Sequence, residues 1–228
     1  MIEGVLQSSG KDKLIYVGHS QGSTQFLLGM GAHQHLHEKI AGFVGLGTVV
    51  SMDNLEDHLI LKVLSKFKLL ELCNWIGFKR ILILPHLLSR AFGVLVYNYN
   101  FYHDMTMLFV RLLCGFSVKN KIPKDYFGVM LTHEPGGASS NNTLQWVQCY
   151  RNGDMRRFDY GTKKNLEVYG SEEPKAYCLK HLENLPFKSY LFKGTKDAVM
   201  SHQCFEKLAS LFNPEKIKTY ELDDYHHL

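Results

Sequence analysis

The stretch Leu14-Ile15-Tyr16-Val17-Gly18-His19-Ser20-Gln21-Gly22 decides the class of fold. Its first four residues are apolar and rich in β-formers, which predicts a buried parallel strand. The next five match the pattern Gly-x-Ser-x-Gly, and Ser23–Met30 then has the pattern of a helix. A second buried strand is predicted at Ile40–Thr48, and the order strand, turn, helix, strand indicates an α/β fold.

Ser20 lies at the centre of this turn and is the candidate nucleophile. The two flanking glycines would let the strand and the helix pass close to each other, while the strained turn exposes the hydroxyl. The backbone N–H of Gln21 begins the helix, so we expect it to point to where an oxyanion forms. A glycine-rich turn without a catalytic role is the alternative, because the pattern also arises by chance.

A serine nucleophile needs a base, and the base needs a carboxylate that orients it. In this class of turn the chain order is Ser, then Asp or Glu, then His. Asp197 follows a predicted strand at Lys188–Lys193, and His227 follows one at Ile217–Leu222. The carboxyl ends of parallel strands share one edge of the sheet. The sequence therefore predicts a catalytic triad of Ser20, Asp197 and His227.

Neighbouring residues compete for two of these roles. His226 is an alternative to His227 as the base. Asp223 and Asp224 are alternatives to Asp197 as the carboxylate, but they follow the same strand as the histidines and could hardly reach the far nitrogen of the ring. On the residues alone, Asp197 could also cap its own loop, and His227 could be a surface histidine near the chain end.

The long interval between Ser20 and Asp197 predicts an inserted segment. We expect residues 1–51 to form the first part of the core, residues 52–184 a helical cap, and residues 185–228 the second part of the core. The apolar and aromatic cap suits a lid and a pocket for an apolar substrate, although most of these side chains would form the cap's own core. Inside the cap we predict helices at Leu59–Leu72, Lys79–Leu88, Met105–Cys114 and Thr143–Asn152, a turn at His133–Ser140 and a short strand at Arg156–Tyr160.

Composition excludes several classes of protein. The chain has 228 residues, of which 45% are hydrophobic and 21% charged, as in ordinary globular proteins. The net charge of +4 is not concentrated in a basic stretch, so we predict no nucleic-acid partner. The apolar run Ala91–Tyr102 is shorter than the ~18 residues that a membrane span needs, and no transmembrane segment is predicted.

A metal centre is not favoured by the sequence. His33, His35 and His37 alternate, and alternating positions do not share a face of a helix. The five cysteines contain no Cys-x-x-Cys pair, which leaves zinc and thioredoxin-like sites without support. We therefore predict no metal ligands.

The motifs together resemble those of the gastric and lysosomal acid lipases. Near the chain end, Tyr225–Leu228 is similar to that family's Tyr-Asn-His-Leu, which selects His227 over His226. Two further segments lie in the predicted core: the elbow Tyr16–Thr24 and the acid loop Gly194–Asp197, which matches Gly-x-x-Asp. The other similar segments lie in the predicted cap: Leu113–Phe116, His133–Asn142 followed by Trp146, and Arg157–Gly161.

The resemblance implies an α/β-hydrolase fold, present here as a partial core with a helical cap. It implies a serine hydrolase that cleaves neutral lipid esters, triacylglycerols or cholesteryl esters, at a lipid–water interface and without a cofactor. It also implies secretion or lysosomal delivery with N-glycosylation. The chain has one sequon, at Asn141, which is a weak candidate for glycosylation because single sequons often occur by chance.

The sequence also departs from the family's pattern. The family's signal peptide, its first strands and a His-Gly segment that gives a second oxyanion donor have no match in these 228 residues. We therefore expect an N-terminally truncated fragment. Since losing one such donor costs on the order of 10²–10³ in rate, the alternative is a catalytically inactive fragment or a lipid-binding remnant.

Overall fold

The computed structural model describes residues 1–51, 62–63, 65–66, 68–117 and 122–227. Its strands are β1 (Leu14–His19), β2 (Ile40–Leu46), β3 (Arg80–Ile83), β4 (Gly136–Ser139), β5 (Lys188–Gly194) and β6 (Ile217–Leu222). Its α-helices are α1 (Ile2–Ser9), α2 (Gln21–Ala32), α3 (Leu69–Trp75), α4 (His86–Asn98), α5 (Asn100–Cys114), α6 (Lys124–Leu131), α7 (Ser140–Asn152), α8 (Thr162–Tyr169) and α9 (His202–Ala209). Short 3₁₀ helices lie at Gln34–Lys39 and Lys180–Asn184.

One parallel sheet of four strands organises the molecule, in the order β1-β2-β5-β6. β2 pairs with β1 on one side and with β5 on the other, and β6 pairs with the far side of β5. This sheet, with α2 connecting β1 to β2, confirms the predicted α/β class. Because all four strands run in the same direction, the turns after β1, β5 and β6 begin at one edge of the sheet.

The burial of β1 differs from the prediction. Ile15 and Val17 are 65% and 63% exposed, although the apolar run predicted a buried strand. Within the described sheet β1 pairs only with β2, so it lies at an edge, and no described element covers the side chains of Ile15 and Val17. β2 is central by contrast, and its Phe43 is completely buried.

The main core lies between the sheet and its helices. Phe26 of α2 stacks on Phe43 of β2 with ring centroids 4.6 Å apart, and Tyr16 of β1 stacks on Phe26 at 4.3 Å. Leu191 of β5 and Leu208 of α9 belong to the same cluster and are fully buried. This packing fixes α2, and therefore the turn that precedes it, against the sheet.

The region between β2 and β5 contains α3 to α8 and has small cores of its own. Val96 of α4, Met107 of α5 and Phe127 of α6 form a cluster separate from the main core. The predicted helices Met105–Cys114 and Thr143–Asn152 lie within α5 and α7 and are confirmed. The predicted helix Leu59–Leu72 lies partly outside the described residues. The domain limits at residues 51 and 184 stay predictions.

The strand pair β3 and β4 contradicts two predictions in this region. The segment Lys79–Leu88 is not one helix, because β3 occupies Arg80–Ile83 and α4 starts only at His86. The predicted turn His133–Ser140 contains β4, which pairs antiparallel with β3. Ile81 and Ile83 are β-branched and alternate along the strand, and this preference outweighed the helical spacing of the apolar residues.

The predicted strand Arg156–Tyr160 is also wrong, since only an isolated bridge joins Arg156 to Ala176. Glutamine side chains of α7 bind this backbone instead. Gln148 accepts a hydrogen bond from the Asp159 N–H and donates one to its carbonyl, both at 2.9 Å. Gln145 donates to the carbonyl of Arg156 at 2.9 Å. Beyond the bridge, side-chain amides therefore hold this backbone in place of a full strand partner.

The described ranges also bear on the predictions about membrane spans and metal ligands. No helix there is both long and apolar enough to cross a membrane. No group of three or more His, Cys, Asp or Glu side chains in those ranges is arranged to hold a metal ion. The rings of His33 and His35 meet edge to face at 5.8 Å, at the start of the 3₁₀ helix.

Candidate active site

The turn between β1 and α2 holds Ser20 in a strained backbone conformation. Its φ is 49° and its ψ is −123°, a region that costs a non-glycine residue about 1–3 kcal/mol. A Cβ at Gly18 would lie 2.7 Å from the backbone of Ser23, so only glycine fits there. A Cβ at Gly22 would meet no described atom within 4 Å, so the expectation that both glycines allow the close approach holds for Gly18 alone.

A continuous chain of hydrogen bonds joins Ser20, His227 and Asp197. Ser20 Oγ lies 2.7 Å from His227 Nε2, and His227 Nδ1 lies 2.8 Å from Asp197 Oδ2. A carboxylate can only accept, so Nδ1 carries the proton and Nε2 is the acceptor for the serine hydroxyl. The side chains of His227 and Asp197 are only 6% and 1% exposed, which protects these contacts from water.

The other carboxylate oxygen of Asp197, Oδ1, accepts two backbone hydrogen bonds. The donors are the N–H groups of Val199 and Met200, both at 2.8 Å. These bonds orient the carboxylate so that Oδ2 faces the imidazole. The structure thus brings together the three residues that the sequence singled out, each from the turn after a different parallel strand.

The competing residues are held elsewhere. The backbone N–H of Asp224 donates to Thr195 Oγ1 at 2.9 Å, and its carboxylate accepts from the hydroxyl of Ser117 at 3.2 Å. His226 is buried, and this burial lowers its pKa, with the Asp197 carboxylate acting in the opposite direction. It is His227, rather than His226, whose ring contacts both Ser20 and Asp197.

The backbone N–H of Gln21 is available for a ligand. The carbonyl of Ser20 accepts the N–H groups of Ser23 and Thr24, both at 3.1 Å. Among the described residues none accepts the Gln21 N–H, as is usual for the first turn of a helix. It adjoins Ser20, the candidate nucleophile, where an anionic oxygen would be stabilised by the positive end of the α2 dipole.

A segment of the cap contacts the loops that carry Asp197 and His227, which sequence reasoning missed. The carbonyl of Cys114, at the end of α5, accepts the N–H of His227 at 3.0 Å and the N–H of Ala198 at 3.2 Å. Gly115 follows with φ 111°, and a Cβ there would overlap the carbonyl oxygen of Lys196. Burial, reinforced by the nearby Asp197 carboxylate, raises the pKa of the Cys114 thiol to about 11. The Leu113–Phe116 motif was the only signal in the sequence.

A cavity of about 320 Å³ lies between α2 and α7, beside Gln21. Its walls combine the amide side chains of Gln25 and Asn142 with the apolar side chains of Leu28 and Met155. Ser20 does not line it, so this cavity is not the apolar pocket over the nucleophile that the cap composition predicted.

Asn141 lies on the exposed first turn of α7. Its Oδ1 accepts a hydrogen bond from the side-chain amide of Asn74 at 2.8 Å. The position is accessible to solvent, and its glycosylation stays a prediction.

The parallel sheet, the strained elbow and the three loops at one sheet edge define a class of protein. The chain belongs to the α/β-hydrolase family, because a family model described as the alpha/beta hydrolase fold matches residues 1–228. The solved structure of BpoC from Mycobacterium tuberculosis, described as a non-heme bromoperoxidase, agrees with this fold. Its TM-score is 0.53 at 14% identity, and the match covers 99% of this chain and 64% of that chain.

The relatives in sequence are named as lipases. A Crotalus adamanteus protein, whose name assigns it to the lysosomal acid lipases/cholesteryl ester hydrolases, is 30% identical over 230 residues, which are 98% of this chain and 54% of that protein. Gastric triacylglycerol lipase of Rattus norvegicus is 30% identical over 183 residues, 77% of this chain and 44% of the lipase. These matches confirm the resemblance to the acid lipases. The chain spans about half the length of these relatives.

Proposed function

We propose that the complete protein is a serine hydrolase that cleaves neutral lipid esters, triacylglycerol or cholesteryl ester, through an acyl-enzyme. The observation that carries the proposal is the hydrogen-bond chain from Ser20 Oγ through His227 to Asp197. The relatives named as lipases support lipid esters as the substrate class. Their names also support secretion or lysosomal delivery.

In the proposed reaction, Ser20 Oγ attacks the ester carbonyl while its proton passes to His227 Nε2. Asp197 stabilises the imidazolium that results, since it holds the Nδ1–H. The carbonyl oxygen becomes an oxyanion and accepts the Gln21 N–H. The imidazolium then protonates the leaving alcohol, which departs and leaves an acyl ester on Ser20. Water, deprotonated by His227, attacks that ester and releases the acid and the free serine.

The exposed side chains of the cap favour a lipid surface as the partner. Leu87, Phe101 and Phe109 are 78%, 69% and 57% exposed on α4 and α5. Apolar side chains exposed in such numbers are typical of a surface that contacts another apolar phase. We propose the lipid–water interface as that phase.

The test compares Ser20→Ala with the unmodified complete protein on triacylglycerol emulsion, cholesteryl ester emulsion and a soluble short-chain ester. Loss of the nucleophile should lower kcat by on the order of 10⁴-fold or more on every substrate that the protein hydrolyses. Ser210→Ala is the matched control, because its exposed hydroxyl only donates a hydrogen bond to the Lys207 carbonyl, just after the end of α9.

Each outcome separates the candidate functions. Hydrolysis of the emulsions that Ser20→Ala abolishes supports the proposal. Hydrolysis of the soluble ester alone would replace the lipid substrates with small esters. Binding to lipid by a complete protein that hydrolyses none of the three would favour the inactive, lipid-binding alternative.

A further inference from the structure

The side chain of Gln21 is held by the cap, although only its backbone N–H entered the proposed reaction. Its Nε2 donates to Asn142 Oδ1 at 2.8 Å, and its Oε1 accepts from Asn142 Nδ2 at 3.1 Å. The same Oε1 accepts the indole N–H of Trp146 at 3.0 Å. Three hydrogen bonds therefore join the residue after the nucleophile to α7, which lies more than a hundred positions further along the chain.

Trp146 fixes the direction of this network. An indole N–H can only donate, so the atom of Gln21 that faces it has to be the carbonyl oxygen. The amide nitrogen of Gln21 then faces Asn142, whose own oxygen must accept from it. Each amide is thus oriented by its partner, and reversing either one would set donor against donor.

The two cap residues are rigidly supported. Asn142 and Trp146 are four positions apart on α7 and share one face of the helix. The hydroxyl of Ser139 caps this helix by accepting the Asn142 N–H at 3.0 Å. Trp146 packs against the main core, and Cys149, one turn further, is fully buried. The network therefore ties Gln21 to a fixed element.

The turn at Gln21 benefits from such support because it is strained. Ser20 occupies a region of φ and ψ that relaxes unless neighbouring contacts hold it. The peptide between Ser20 and Gln21 carries the N–H that would bind the oxyanion, so a rotation of that peptide misdirects the donor. Small misplacements of such a donor reduce the rate substantially.

We propose that Asn142 and Trp146 are positioning residues, which act through the Gln21 side chain to aim the Gln21 N–H at the oxyanion. This inference rests on the proposed function. It assigns α7 of the cap a part in completing the oxyanion site, besides any part in covering the substrate.

The first test is Trp146→Phe in the complete protein, which removes the indole N–H and keeps an aromatic ring in the core. We expect kcat on a soluble ester, counted per titrated active site, to fall about 10-fold, while KM changes less than about 2-fold. The oxyanion forms in the transition state and the tetrahedral intermediate but is absent from the bound ester, so a misdirected donor affects kcat and leaves ester binding nearly unchanged. Trp75→Phe is the matched control, because this other tryptophan is 83% exposed.

A double-mutant cycle distinguishes positioning from a structural role. In a Gln21→Ala background the network is already lost, so adding Trp146→Phe should lower kcat no further. The inference would be overturned if Trp146→Phe lowered kcat by the same factor in the Gln21→Ala background as in the unmodified protein. An unchanged kcat in Trp146→Phe alone would also overturn it. Asn142→Ala removes the other two hydrogen bonds to the Gln21 side chain. It should lower kcat when made alone and lower it no further in the Gln21→Ala background.

The controls keep this inference apart from the proposed function. If the unmodified protein hydrolyses no ester and Ser20 cannot be acylated, the proposed function fails. If the unmodified protein is active and the single variants keep full kcat, only the positioning inference fails.

Discussion

Asp197 illustrates how much of the site depends on single atoms. One carboxylate oxygen holds two backbone N–H groups, and the other holds the imidazole N–H. The group accepts three hydrogen bonds and is nearly inaccessible to water. An ionised carboxylate is the side chain that satisfies all three donors at once.

Asp197→Asn should therefore disable the site without unfolding it. An asparagine has one oxygen, which the N–H groups of Val199 and Met200 already occupy, and its NH₂ group would face His227 Nδ1. The imidazole then takes the other tautomer, with the proton on Nε2, and cannot accept the serine proton. We expect kcat to fall by on the order of 10⁴-fold.

Ester hydrolysis and thermal unfolding of the complete protein check this expectation. Asp12→Asn, in the exposed turn before β1, is the control. A kcat within about 10-fold of the unmodified protein would contradict the role given to Asp197.

The burial of His226 makes the folding stability of the protein depend on pH. Burial lowers the pKa of this group below its ordinary value of 6.5, so the folded protein favours the neutral ring. Its contribution to stability is present above pH 6.5 and is lost as the pH falls through the lowered pKa, because the unfolded chain takes up a proton first. Acidification should therefore destabilise the fold through this residue.

The measurement is the thermal midpoint at about pH 7.5 and about pH 5. His226→Gln should show a smaller fall between the two values than the unmodified protein. His33→Gln, which changes an exposed ring, should leave the fall unchanged. An identical fall in all three proteins would show that His226 does not titrate as argued.

At the scale of elements, two of the contacts between the cap and the core reach the candidate site. Through α7 the cap contacts Gln21, and through the end of α5 it contacts the loops that carry Asp197 and His227. The second contact uses the carbonyl of Cys114 and the close approach of Gly115 to Lys196. A shift of α5 would therefore move both loops together.

Gly115→Ala tests this second contact. The new Cβ would overlap the carbonyl oxygen of Lys196, so the acid loop has to move away from the imidazole. A displacement of about 1 Å should lower kcat about 100-fold. Gly161→Ala is the matched control, because Gly161 also has a positive φ, of 86°, but a Cβ there meets no described atom within 4 Å.

Activity per folded molecule is the quantity to compare between the two variants. If both lose activity equally, backbone strain alone accounts for the effect and the contact with Lys196 is unimportant. If only Gly115→Ala loses activity, the overlap is responsible, as we expect.

The elements also show what the sequence could predict. The strands of the sheet and the helices α2 and α7 follow from apolar runs and spacing, because these patterns lie within each element's own sequence. Lys79–Leu88 and Arg156–Tyr160 were mispredicted because their partners are distant in sequence, β4 in one case and glutamines of α7 in the other. Local patterns contain no information about such partners.

For the whole molecule, one rule of topology predicted the contacts between the candidate residues. Parallel strands deliver their following turns to a single edge, and Ser20, Asp197 and His227 each follow such a strand. The network around Gln21 and the contacts of Cys114 were not predictable in this way. They join the cap to the core, and the packing of an insertion on a sheet depends on tertiary contacts that spacing does not encode.

The most direct measurement is to trap the nucleophile in the complete native protein with a fluorophosphonate and to locate the modified residue by peptide mass spectrometry. We expect one adduct, on Ser20, formed in step with the loss of ester hydrolysis and absent from His227→Ala. An adduct on another residue that accompanies the loss of activity, or full inactivation with Ser20 unmodified, would contradict it.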